Sequence, residues 1–172
     1  VRDKKIKTNS AIYQLVDFYT IFHNTFASKN IVEDFYWTRN VNSPEVNTWH
    51  GLAFERICKA HIPQIKTALG IASVSTDFYT WRTNQIENGA QIDIIIDRAD
   101  NTINLCEVKY SEDLYSLDKD EFLRIQNRIN AFKTVTGTKS SIIPTMITTF
   151  GMKNGMYSDQ IIAKIDMDAL FI

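Results

Sequence analysis

Asp93, Glu107 and Lys109 are the residues of this 172-residue chain best placed to do chemistry together. They lie in the stretch GAQIDIIIDRADNTINLCEVKY, residues 89–110. The run QIDIIID is short, β-branched and bounded by Gly89 and by Ala99-Asp100-Asn101, so it predicts a strand rather than a helix. The run INLCEVKY predicts a second. Successive side chains of a strand point to opposite faces, which sets Glu107 and Lys109 on one face about 6 to 7 Å apart, with Val108 on the other. A hairpin then brings one Asp, one Glu and one Lys to adjoining strand ends. Such groups are costly to hold together unless a cation, a hydrogen-bond network or solvent relieves them, which marks a candidate site. The competing reading is a solvated salt-bridge cluster that contributes little.

The elements around this hairpin follow from periodicity and capping. A short hairpin is expected over residues 5–15, then a helix over 16–28 with Phe18, Phe22 and Phe26 as an apolar stripe that packs on the core or on a segment upstream. Ser43-Pro44-Glu45 starts a helix through WHGLAFERICKAH to about residue 61, and a second short helix runs from Pro63 to Gly70. Residues 71–81 alternate as a strand, and 84–89 form a polar turn before the strand of Asp93. Phe122, Ile125, Ile129 and Phe132 give an amphipathic helix capped by Asp118 with Glu121 and closed by Gly137. Strands follow at 142–150, with Pro144 near the start or at an edge, and at 161–165, before a final turn over 166–171. The expected core is α/β, a mixed sheet with helices on its faces in the order αβββαβ, carrying an N-terminal hairpin and helix extension. One globular domain is expected, with residues 1–43 as the extension, 44–150 as the core and 151–172 as a last strand and turn.

Composition narrows the function classes. Nineteen Lys and Arg against 20 Asp and Glu leave a net charge of −1, so a nucleic-acid partner would need a local basic patch rather than a global field. Cys58 and Cys106 sit in apolar contexts and are expected to be buried thiols of a reducing compartment. No run approaches the roughly 18 apolar residues of a membrane span and no leader opens the chain, which favours the cytoplasm and no membrane partner. Val1 in place of Met is expected of a fragment cut from a longer polypeptide.

The order of elements, with Asp93 on the second strand and Glu107-x-Lys109 on the third, resembles the PD-(D/E)XK nuclease superfamily, the restriction-endonuclease-like fold. Ile92 stands where that superfamily usually has Pro. The resemblance implies that Asp93 and Glu107 bind a divalent metal, that Lys109 positions or deprotonates the attacking water, and that Glu55 on the first core helix adds an outer ligand. WHGLAFERICKAHIPQIKTALGI followed by GAQIDIIIDRADNTINLCEVKY also resembles the C-terminal domain of archaeal-type ATPases found in bacteria too. That likeness implies an AAA+-type P-loop ATPase and a winged helix upstream, and these residues contain no P-loop run themselves.

Phosphodiester hydrolysis needs charge neutralised on the phosphate and a nucleophilic water near neutral pH, which a hard cation held by carboxylates supplies. Asp93 and Glu107 offer hard oxygens, the Val108 carbonyl is a possible third ligand, and Mg²⁺ (or Mn²⁺) suits this set better than zinc. The expected function is a magnesium-dependent nuclease domain on DNA or RNA, attached to an ATPase. The alternative is a non-catalytic module of the same fold that regulates the ATPase or binds a partner. Other residues are read plainly. Glu55 equally pairs with Lys59 at i+4; Asp97 is a turn residue; Gln91 contacts substrate or caps the strand. Arg124 and Arg128 lie on a solvated face rather than clamp a phosphate, with Glu121 neutralising Arg124. His61 packs or caps, His23 and His50 have no evident partners, and Trp37, Trp49 and Trp81 are core or interface anchors.

Overall fold

The structure, a computed structural model, describes residues 15–29, 34–85 and 89–171. The chain divides into two compact units, Val1–Val46 and Asn47–Ile172.

In the first unit, helix α1 (Phe18–Thr25) is capped by Asp17, whose Oδ2 accepts from the Thr20 N–H at 2.7 Å. Helix α2 (Tyr36–Asn40) presents Trp37 to α1: its ring stacks on Phe22 at 5.4 Å and meets Phe26 edge-on at 5.0 Å. The aromatic stripe is therefore divided. Phe26 is buried, whereas Phe18 and Tyr19 stay exposed. The hairpin expected over residues 5–15 lies outside the described residues apart from Leu15.

The second unit is built on a five-stranded mixed sheet in the order β1 (Thr76–Thr83), β2 (Ala90–Arg98), β3 (Thr102–Lys109), β4 (Ser141–Thr148), β5 (Ala163–Asp166). The first three strands pair antiparallel, and β3, β4 and β5 run parallel. Helix α5 (Lys119–Thr136) makes the crossover from β3 to β4; it starts on Asp118, which accepts from the Glu121 N–H at 2.8 Å, and stops at Gly137, whose φ of 61° suits glycine. Helix α3 (Pro44–Ala60) and helix α4 (Ile62–Ala68) precede the sheet. The core is thus αβββαβ, a mixed sheet flanked by helices.

Two apolar clusters account for the layering. Ile94, Ile96, Cys106, Ile147 and Ile165 pack with Phe54, Cys58, Ile62 and Ile65 from α3 and α4 on one face. Ile92, Ile95, Ile103, Leu105 and Met146 pack with Ile125, Ile129 and Phe132 from α5 on the other. Buried β-branched residues on both faces are what a doubly covered sheet requires. Both cysteines are free and buried.

The first strand starts later than its alternating pattern predicts, at Thr76 rather than Ile71. Residues 71–75 are drawn into a turn instead: Val74 N–H donates to the Ile71 carbonyl at 3.0 Å, and Lys66 Nζ donates to the Val74 carbonyl at 3.1 Å. Pro144 falls inside β4, paired on one side with Leu105 of β3, while pairing with β5 begins only at Thr145. A proline is tolerated there because, among the described residues, no strand pairs with it on the β5 side and calls on its missing N–H. Among the described residues, no helix is long and apolar enough to cross a membrane.

Candidate functional site

The β2–β3 pair carries the site. Its last regular pair is Ile94 opposite Cys106, and one step beyond stand Asp93 and Glu107. On its other side β2 is irregular: Tyr79 faces Ile95 and Trp81 faces Ile92, so three steps along β2 are matched by two along β1. This is a β-bulge at Asp93, an extra residue that turns the strand locally. It explains why Ile92 and Ile95, three apart, both join the cluster under α5. Thr80 Oγ1 donates to the Asp93 carbonyl at 3.1 Å, holding the bulge. The Asp93 carboxylate is aimed at β3, where Oδ2 accepts the Val108 N–H at 3.0 Å.

Glu107 and Lys109 share the α5 face, as period two requires. Arg128 Nη1 donates to Glu107 Oε2 in a short charge-assisted contact. Lys109 Nζ lies 2.7 Å from Glu121 Oε1, and Arg124 Nη1 lies 3.3 Å from Glu121 Oε2. The Lys109 contact is a close ion pair. Glu121 is thus both a first-turn acid of α5 and a bridge between two cations.

Electrostatics set these carboxylates apart. Glu107 is buried, and desolvation, then the charge of Asp93, pushes its pKa up to about 7 against the pull of Arg128 and Lys109. Burial also raises the Asp93 carboxyl; the Val108 N–H opposes this, and the charge of Glu55 adds to it. Burial pushes the Cys58 thiol up to about 12, and the charges of Glu55 and Asp93 add to it. Burial and the neighbouring Glu121 push Tyr115 up to about 12.

The predicted residues Asp93, Glu107, Val108 and Lys109 are therefore brought together at one end of the sheet, with Glu55 close by and ion-paired to Lys59. Three readings are corrected. Asp97 is not in the turn but within β2, opposite Asp77, because the strand runs on to Arg98. Arg128 is not on a solvated face, because α5 presents it to Glu107. His23 and His50 do have partners: His23 Nδ1 lies 3.5 Å from Asn24 Oδ1 and its ring 6.3 Å from that of Tyr19, both local, while the His50 ring lies 5.5 Å from that of neighbouring Trp49 and 4.8 Å from that of Tyr110, the last a tertiary contact invisible in sequence. His61 packs as expected, with Nδ1 2.8 Å from the Ile57 carbonyl and its ring near Phe171. Trp81 meets Phe132 edge-on in the core, and Gln91 is exposed opposite Arg82. The bulge and the Arg128 contact escape sequence reading, although the spacing of three between Ile92 and Ile95 is a faint sign of the first.

Asp93 and Glu107 offer a pair of oxygen donors, and the charge of Asp93 adds to the cost of ionising Glu107, which is a demand a hard divalent ion would meet. Among the described residues, no three His, Cys, Asp or Glu groups lie close enough to enclose a metal by themselves. The donor set fits Mg²⁺ or Mn²⁺, which need few carboxylates and keep bound water, better than a closed nitrogen and sulfur cage.

A family model described as "Archaea bacterial proteins of unknown function", DUF234, matches residues 18–125. Among solved structures, the chain is similar to one titled "Crystal Structure of Protein of Unknown Function AF1548", at 14% identity and a TM-score of 0.45, over 66% of this chain and 64% of that one. The chain thus spans less than two thirds of that protein's length. No curated protein matches.

Proposed function

The chain belongs to the DUF234 family, and we propose that its Asp93, Glu107 and Lys109 end is a Mg²⁺- or Mn²⁺-dependent phosphodiester-hydrolysing centre of the PD-(D/E)XK, restriction-endonuclease-like kind. The observation that carries the reading is the pairing of half-buried Asp93 with buried Glu107, with Lys109 on the same face as Glu107, at the end of the β2–β3 hairpin. The ion, when bound, would neutralise phosphate charge and lower the pKa of a water. Asp93 and Glu107 would hold it, with the Val108 carbonyl as a further oxygen and Glu55 as an outer ligand. Asp93 is preset for this by its bond to the Val108 N–H. Lys109 would place a positive charge beside the scissile phosphate or the attacking water. The substrate class is DNA or RNA, by the PD-(D/E)XK resemblance; that the domain is the C-terminal part of a protein, expected to be cytoplasmic, with an upstream AAA+-type ATPase and winged helix rests on the resemblance of its two sequence blocks to that ATPase domain.

A second reading has its own support: Glu107 and Lys109 each already have a charged partner on α5, Arg128 and Glu121, as a self-contained structural network would. In that case the domain is a non-catalytic regulatory or partner-binding module of the ATPase. Isothermal titration of Mn²⁺, with cleavage of single-stranded, duplex and flapped oligonucleotides, separates the two. The nuclease reading expects Mn²⁺ binding that is lost in Asp93→Ala and cleavage that is lost in Lys109→Ala with metal binding retained. Wild-type protein that binds no Mn²⁺ and cleaves none of these substrates leaves only the module.

A further inference from the structure

Arg128 has no role in that scheme, yet it occupies its centre. The guanidinium sits on Glu107 Oε2, and the charges of Glu121 and Asp93 bear on it too. Its side chain is 31% exposed while that of Glu107 is 5% exposed, so the guanidinium bridges a buried carboxylate and solvent. Arg124, one turn earlier on α5, is drawn to Glu121 and is 62% exposed. The two arginines therefore differ in kind: Arg124 is a surface cation, and Arg128 is the inner counter-charge of a buried acid.

We propose that Arg128 is a reserve cation of the site, which neutralises Glu107 while no divalent ion is bound and, once one is, turns its guanidinium to an anionic oxygen of the substrate phosphate. The proposal rests on the metal-dependent reading above. A divalent ion on Glu107 would compete with the guanidinium for the same carboxylate and repel it. A displaced guanidinium would not lose its charge, because arginine stays protonated, and its planar fork matches two phosphate oxygens. Exposure on the solvent side gives it somewhere to turn. The chain would thus hold its own placeholder, so that Glu107 is countered before the ion arrives and a phosphate-binding group is freed when it does.

The roles predict changes of opposite sign in one variant. In the full chain, titration of Mn²⁺ into Arg128→Gln should give affinity several-fold tighter than wild type, about tenfold at most, because the competitor is gone. Binding of a fluorescent oligonucleotide in Ca²⁺, chosen to hold the complex before cleavage, should weaken by about tenfold in the same variant. Arg128→Lys keeps the charge and loses the fork; it should bind Mn²⁺ as wild type does and bind the oligonucleotide several-fold more weakly. That second variant decides the matter if Arg128→Gln fails to fold. Arg128→Gln with unchanged or weaker Mn²⁺ affinity, or Arg128→Lys with wild-type oligonucleotide affinity, overturns the proposal alone. Wild-type protein that binds no Mn²⁺ overturns the metal-dependent reading and this proposal with it.

Discussion

Each end of the β2–β3 hairpin has an acid paired with an arginine, Asp100 with Arg98 at the turn and Glu107 with Arg128 of α5 at the far end, and the ends behave oppositely. At the turn, Arg98 pairs with Asp100 in a short contact, and its Nη1 lies 3.5 Å from Asn104 Oδ1, while Asn104 Nδ2 donates to Thr145 Oγ1 at 3.0 Å. Asp100 is open to water, and the Arg98 hydrogen bond holds its carboxyl below the usual range. At the far end, Glu107 also has its arginine, yet burial and Asp93 outweigh Arg128 and push the carboxyl up. The same pair of residue types is an inexpensive ornament in water and an unmet electrostatic demand when buried. A charge that a fold retains despite such a cost is the better candidate for function.

The contrast can be tested in order of expected effect. Arg128→Met should cost about 2 to 4 kcal/mol in urea unfolding at pH 8, since it strands a buried charge, and adding Glu107→Met should restore most of it. An uncorrected double variant would show that the pair is not the cause. Next comes pH. The folded-state pKa of Glu107, about 7, lies above its ordinary 4.5, so the native state binds the extra proton. Stability from this group is full below the ordinary value and is lost as pH rises towards 7, by on the order of 1 to 3 kcal/mol in metal-free protein. Glu107→Gln should remove that slope, and Mg²⁺ at pH 7.5 should offset it. Asp100 has the opposite sign: its contribution is present above the ordinary carboxylate range and lost on acidification. Thr80→Val, which deletes the hydroxyl on the bulge, should cost about 1 kcal/mol and weaken Mn²⁺ binding several-fold; unchanged binding would mean the bulge does not set the Asp93 carboxylate. Smallest of all, Asp100→Asn should leave the urea midpoint within experimental error at neutral pH.

How much of this could be read in advance divides along the line between local and tertiary causes. Period two put Glu107 and Lys109 on one face, Asp118 and Gly137 bounded α5, and spacing alone joined Glu55 to Lys59 and Glu121 to Arg124. Asn101, with φ of 60°, sits where its residue type suggested a turn. The start of β1 was misplaced because an alternating pattern over 71–75 was overridden by turn hydrogen bonds. The bulge at Asp93 was hidden by four isoleucines around it, which look apolar in any register. Arg128 was misjudged because its partner lies 21 residues away, where no helix rule reaches. The family match supports the domain's kinship but names no chemistry.

The β4 edge of the sheet bears on self-association. Among the described residues no strand pairs with the opening half of β4 on its β5 side, so Ser141–Ile143 present part of a sheet rim on which another extended chain could template. Pro144 stands at the limit of that open rim and withholds the amide a guest strand would need, while β5 seals the rest. Replacing it with valine would complete a row of donors and invite edge-to-edge aggregation.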